Sequence, residues 1–154
     1  VSRKISTLCA ALCMTLLAVP SLAAPGTVRD VRIPIIVTES ERAYMLAEMR
    51  EFLHGLHSIQ LALARGDMKA VALVAGPMGS LEHKIPPALK DRLPEEFLQL
   101  AIGQHEVFQV IARDAEAKQD IKHTLGQVAE AITYCSGCHD TFRIQAGRIK
   151  PAVR

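Results

Sequence analysis

Apolar residues recur at spacings of three and four along four stretches of this chain, the pattern of helices with one buried face. The first stretch carries Met45, Leu46, Met49, Phe52, Leu53, Leu56, Ile59 and Leu63. Thr38 precedes it and Glu41 follows three residues later, which predicts a capping box at its start; Gly66 predicts its end. Asp67 caps a second stretch through Met68, Val71, Ala72, Val74 and Ala75, expected to stop near Gly76-Pro77. Residues 77–93 hold Gly79, Pro86 and Pro87 and read as a loop with one short turn at 88–92. Leu93-Pro94-Glu95-Glu96 opens a third helix, with proline at the first turn and acids behind it. Phe97, Leu98, Leu100, Ala101, Val107, Phe108, Val110 and Ile111 continue it. A fourth begins near Asp120, carries Ile121, Leu125, Val128, Ala129 and Ile132 into residues 135–139, and is expected to end by Gly147. Residues 25–37 read as an extended lead-in, and no segment alternates long enough to predict a strand. The expectation is an all-α domain: an antiparallel up-down-up-down four-helix bundle, whose cofactor sites lie between facing helices.

The N-terminal residues follow a different logic. Arg3 and Lys4 precede an apolar run from Ile5 to Val19, with small residues Ser21 and Ala23 after it. This is the order of a secretory signal peptide, with cleavage expected after Ala23. The run is shorter than the roughly 20 apolar residues of a spanning helix. Residues 1–23 are thus expected to leave and residues 24–154 to form the domain, in a periplasmic setting with no stable membrane span. Cys9 and Cys13 would go with the peptide, leaving Cys135 and Cys138. The remaining 131 residues carry 16 Lys+Arg against 16 Asp+Glu, so nucleic-acid binding has no support in charge.

Cys135-Ser136-Gly137-Cys138-His139 changes the picture most. C-x-x-C-H is the attachment signature of c-type haem: two thiols add to the porphyrin's vinyl groups, and the adjacent imidazole takes the iron. On a helix through residues 135–143, Cys135, Cys138 and His139 share one face, and Phe142 and Arg143 extend it. That stripe offers two thioether anchors, an iron ligand, an aromatic for the ring face and a cation for a propionate. A thioredoxin-like motif would want a preceding strand in a βαβ setting. A zinc site would want a second ligand pair.

Cys135-x-x-Cys138-His139-x-x-Phe142-Arg143 near the end of a four-helix chain resembles the class II c-type cytochromes, the cytochrome c′ group and its low-spin relatives. The resemblance covers most of the chain after residue 23 in architecture, and is specific in sequence around 135–143. It implies one covalent haem c, with Cys135 and Cys138 as thioether links, His139 as proximal ligand and Arg143 near a propionate.

The sixth ligand divides the functional expectations. In such a bundle the early first helix faces the distal side, and Met45 and Met49 lie there one turn apart. The family's distal residue is followed by apolar residues at +3, +7 and +10. Met49 is followed by Phe52, Leu56 and Ile59, whereas Met45 is followed by Glu48, Phe52 and Gly55. Met49 is the expected ligand and Met45 the alternative. Thioether ligation gives a low-spin, one-electron carrier; an open site would instead bind small gases such as NO or CO. His54, His57 and His123 read as solvated side chains, His105 as a surface or supporting residue, and His83 and Met78 as minor candidates from the loop. No acid–base residue is expected at the distal face, with Glu48 turned away, so the reading is non-enzymatic. The implied partner is an unidentified redox protein, for which Arg143, Arg148, Lys150 and Arg154 form a basic tail. Charges on the outer face of the first helix, Arg50 among them, leave monomer and homodimer both compatible with the sequence.

Overall fold

Thr38 starts the first helix as its side chain dictates. Its Oγ1 accepts from the Glu41 N–H at 3.2 Å, and the Glu41 carboxylate accepts from the Thr38 N–H at 2.8 Å. The Thr38 backbone N–H, the Thr38 hydroxyl and the neighbouring Arg92 together hold the Glu41 carboxyl below its ordinary pKa. The computed structural model describes residues 29–80 and 85–149. Residues 1–23, expected from the sequence to be a signal peptide, and His83, Lys150 and Arg154 lie outside the described residues.

The order of elements is β1 (Ile33–Val37), α1 (Glu39–Ala64), α2 (Met68–Gly79), α3 (Pro87–Lys90), α4 (Glu95–Ala117), α5 (Ile121–Thr141) and β2 (Phe142–Ala146). The chain is mostly helical, and among the described residues no helix is long and apolar enough to cross a membrane. Gly66 takes φ +70° between α1 and α2, a conformation glycine adopts without steric cost. Asp67 Oδ1 then accepts from the Ala70 N–H at 2.9 Å. Asp120 caps α5 in the same way through the His123 N–H at 3.0 Å.

Two boundaries differ from the pattern-based expectation. α2 does not stop at Gly76-Pro77 but holds one more turn, to Gly79. Side chains of α4 satisfy the carbonyls of that last turn: His105 Nδ1 donates to Met78 O at 2.6 Å, and Gln109 Nε2 donates to Gly79 O at 2.8 Å. Met78 is therefore a buried residue of α2, lodged against Gly55, and not part of the loop. The second difference is at the motif. α5 ends at Thr141, and Phe142–Ala146 is a strand instead of the helix's last turns. It pairs in parallel with β1, Ile33 opposite Phe142 and Val37 opposite Ala146. Two five-residue segments more than a hundred positions apart supply each other's hydrogen bonds, which local periodicity cannot register.

The helices pack in the sequence α1 on α2, α2 on α4 and α4 on α5, while α1 and α5 meet over only a few residues. Ile59, Val71, Ala75, Phe108, Ile111 and Ala131 form the main core. A second cluster gathers Ile35, Val37, Met45, Leu89, Phe97 and Phe142 beneath the strand pair. α4 approaches α5 closely where Gly103 faces the Tyr134 ring. The far ends of these two helices are clipped together by Asp114. Its Oδ2 accepts from Lys118 Nζ at 2.9 Å, His123 Nε2 at 2.7 Å and Gln127 Nε2 at 2.7 Å.

Those donors, Lys118 first, hold the Asp114 carboxyl well below the usual carboxylate range. A pKa depressed by folding contributes stability above the unfolded value of about 3.9 and loses it as pH falls further. Asp114→Asn should therefore lower the urea midpoint near pH 6, and the gap from wild type should narrow as the pH approaches about 3. A gap independent of pH would mean the clip acts by packing alone.

Candidate cofactor site

α1 carries more apolar surface than its helical neighbours cover. Met45, Phe52, Ile59 and Leu63 are buried. Leu46, Met49, Leu53 and Leu56, at spacings of three, four and three, form a second stripe beside them. That stripe lines a cavity of about 640 Å³. α5 contributes Cys135, Cys138 and His139 to the same lining. Phe97, Ala101 and Gln104 come from α4, and Phe142, Arg143 and Ile144 from β2. Arg32, Arg42 and Arg50 complete the lining, so among the described residues four arginines and no carboxylate border the cavity.

The strand pair explains how Phe142 and Arg143 reach the cavity although the helix has ended. β2 leaves α5 just after His139 and is held beside β1, while Arg32 Nη1 donates to the His139 carbonyl at 3.2 Å. Phe142 packs edge-on against Phe97 at 5.6 Å. Arg143 Nη1 donates to Gln145 Oε1 at 2.8 Å. The motif is thus pinned from both ends of the chain. Gly137 lets α5 lie against the Leu100 side chain of α4.

Met49 and Met45 are separated by the fold. Met49 lines the cavity with the motif residues; Met45 is buried in the cluster under the strands and is not in the lining. Met78 lies on α2 away from this cavity. His54 and His57 are exposed on α1, and His123 belongs to the Asp114 clip. His105 is buried and sits behind Phe52, the rings in edge contact at 5.3 Å. Glu48 is absent from the lining and engages the Tyr44 hydroxyl, whose pKa rises through burial and then through that carboxylate. Arg50, expected on the outer face of the first helix, borders the cavity instead.

Arg32, Arg42, Leu46, Leu53, Phe97, Ala101, Gln104 and Ile144 line the cavity without having been singled out from the sequence as site residues. A signal existed for α1: Arg42, Leu46, Met49, Leu53 and Leu56 fall on one helical row. None existed for Gln104, whose place depends on how α4 is rotated in the packing.

Both motif cysteines are half-buried free thiols. Cys135 Sγ donates to the Ala131 carbonyl at 3.5 Å. Burial raises both pKa values, and Cys138, with Cys135 beside it, is pushed up to about 11. A redox or metal-binding pair would want the opposite shift, toward thiolate. Among the described residues no three His, Cys, Asp or Glu side chains converge as a metal-binding group. One imidazole and one thioether across a largely apolar cavity do not suit a bare ion. They suit an iron that brings its own four equatorial nitrogens and needs only axial partners. The cavity's size falls in the range of about 300–1,000 Å³ typical of cofactor sites. Its arginines match carboxylate substituents at the ring edge. The residues present therefore fit a haem.

No family model, curated protein or solved structure matches the chain.

The thiol environment has a direct consequence. In the haem-free protein, alkylation of Cys138 by iodoacetamide should be slow near neutral pH and keep accelerating up to about pH 11. A rate that levels off near the ordinary thiol value of about 8.5 would show an exposed side chain and a differently packed motif helix.

Proposed function

We propose that this protein is an exported c-type cytochrome that carries single electrons between protein partners in the periplasm. In this reading α1, α2, α4 and α5 form an antiparallel up-down-up-down bundle around one covalently held haem. The observation that carries it is the meeting of Cys135, Cys138 and His139 with Met49 across one largely apolar cavity.

A bound haem would supply an iron that cycles between its ferric and ferrous states. The chain's residues do the rest. Cys135 and Cys138 anchor the ring as thioethers, and their raised pKa values keep them as thiols until they add to it. His139 and Met49, which line the same cavity, would hold the iron. A thioether ligand favours the ferrous state and raises the potential. Leu46, Phe52, Leu53 and Leu56 exclude water from the ring face, and a low dielectric also disfavours the net positive ferric centre. Arg143, with Arg32, Arg42 and Arg50 around it, would hold the propionates and leave positive charge at the mouth. That charge would favour encounter with an acidic partner surface.

Absorption spectra of the haem-loaded protein test the ligand set. Wild type should be low-spin in both oxidation states, with a far-red methionine-to-iron charge-transfer band and little response to CO. Met49→Ala should lose that band, turn high-spin and bind CO promptly. Met45→Ala should keep the band and lose stability by roughly 2–5 kcal/mol in denaturant titration, as a buried truncation does. A wild-type spectrum that is high-spin and shifts at once with CO would replace electron transfer with gas binding.

A further inference from the structure

α5 ends at Thr141, and the Phe142 N–H closes its ladder on the Cys138 carbonyl. In a longer helix the His139 carbonyl would accept from the N–H of residue 143. Arg143 lies instead in β2, in register with Pro34 of β1. The carbonyls of a helix's last turn need partners from elsewhere. For His139 that partner is Arg32, whose Nη1 donates to the carbonyl oxygen at 3.2 Å from 107 positions away in the chain. A cationic donor also suits the negative end of the helix dipole.

The strand pair fixes where this arginine stands. Ile33, the next residue, lies opposite Phe142. At the far end of the pair the Gly147 N–H donates to the Val37 carbonyl at 2.9 Å. The segment before α1 is thereby held against the turn that carries the imidazole. His139 has use for such a hold. Cys135 and Cys138 are half-buried, but His139 is exposed, so neighbouring side chains do little to fix its ring. The backbone of residue 139 sets the direction of the ring, and that residue lies two positions from the helix end, where helices fray. Arg32 also lines the cavity, so its charge stands beside both the motif and the space in front of it.

Resting on the haem reading above, we infer that Arg32 is a positioning residue for the iron-ligating imidazole. Its guanidinium takes the place of the helix N–H at the His139 carbonyl and keeps residue 139 in the helix. The plane of the ring and its reach toward the iron follow from that backbone. This role runs through the main chain of the motif and is distinct from any contact of the lining arginines with ring carboxylates. Groups that orient a metal ligand without touching the metal act in this manner.

The test uses full-length, covalently haem-loaded protein: wild type, Arg32→Leu and Arg32→Lys. Hydrogen exchange of the β2 amides establishes that the strand pair is intact in each. The first readout is the proton NMR spectrum of the ferric protein, in which the shifts of the haem methyl groups follow the plane of the axial imidazole. The second is the pH at which acid releases the imidazole from the iron. Arg32→Leu should alter the methyl pattern. It should also weaken the hold on the imidazole about five-fold, the size of one typical hydrogen bond, and so raise the release midpoint by about 0.7 pH unit. Arg32→Lys, which keeps a cationic donor, should restore most of both. Neither readout moved in Arg32→Leu would overturn the assignment. Changes that Arg32→Lys leaves as large would overturn it too, since they would reflect lost packing. Should Arg32→Leu open the strand pair, Arg32→Gln, which keeps a neutral donor, takes its place and should show the same changes in smaller measure; a wild-type spectrum and midpoint there, together with the same in Arg32→Lys, would overturn the assignment. Haem-loaded wild type whose spectrum ignores residue 32 sinks this inference alone. Wild type exported with two free thiols and no haem overturns the functional reading, and this inference with it.

Discussion

The width of the apolar face on α1 is the constraint from which the rest follows. A 26-residue helix hides one stripe, Met45 under the strand pair and Phe52, Ile59 and Leu63 in the main core. The parallel row Leu46, Met49, Leu53 and Leu56 is only partly covered, and Leu53 is left 65 % exposed. Apolar surface of this extent facing a cavity costs free energy unless something apolar fills the space. The facing wall is the helix that carries the C-x-x-C-H motif. On the proposed reading, the cavity lined by α1 and α5 and the motif would be two parts of one device, room left where the chain's chemistry could hold a large flat group.

The strand pair turns that room into a site of fixed shape. α5 could have continued past His139, since nothing in its sequence forbids another turn. β1 captures residues 142–146 instead, and the chain bends away immediately after the imidazole. Phe142 is thereby buried against Phe97, and Arg143 is brought to the cavity beside Arg32. The same pairing joins the lead-in before α1 to the end of α5, so both walls are tied at one end. At the other end Asp114 clips α4 to α5 across a short turn in which Gln119 adopts φ +52°. What stays open lies between these ties.

Much of this was legible in the sequence, for identifiable reasons. The caps at Thr38, Asp67 and Asp120 are local chemistry, and each sits where the residue type placed it. The motif residues are contiguous, so their shared helical face needed only the 3.6-residue period. Preference for Met49 over Met45 came from a comparison of downstream spacing, and the fold places Met49 in the cavity and Met45 in the core under the strands. What escaped was non-local. The strands are too short to announce themselves, and each is stable only through the other. The extra turn of α2 depends on His105 and Gln109 from another helix. Gln104 and Arg32 are ordinary surface types in sequence, and only packing brings them to one cavity.

The most direct test of the account is the intact mass of the protein secreted by cells able to attach c-type haem. The account predicts a polypeptide beginning at Ala24 whose mass exceeds that of its sequence by one haem, with the extra mass retained after denaturation and acid–acetone extraction and lost in the Cys135→Ala, Cys138→Ala double variant. A chain of unmodified mass with two alkylatable thiols would contradict it.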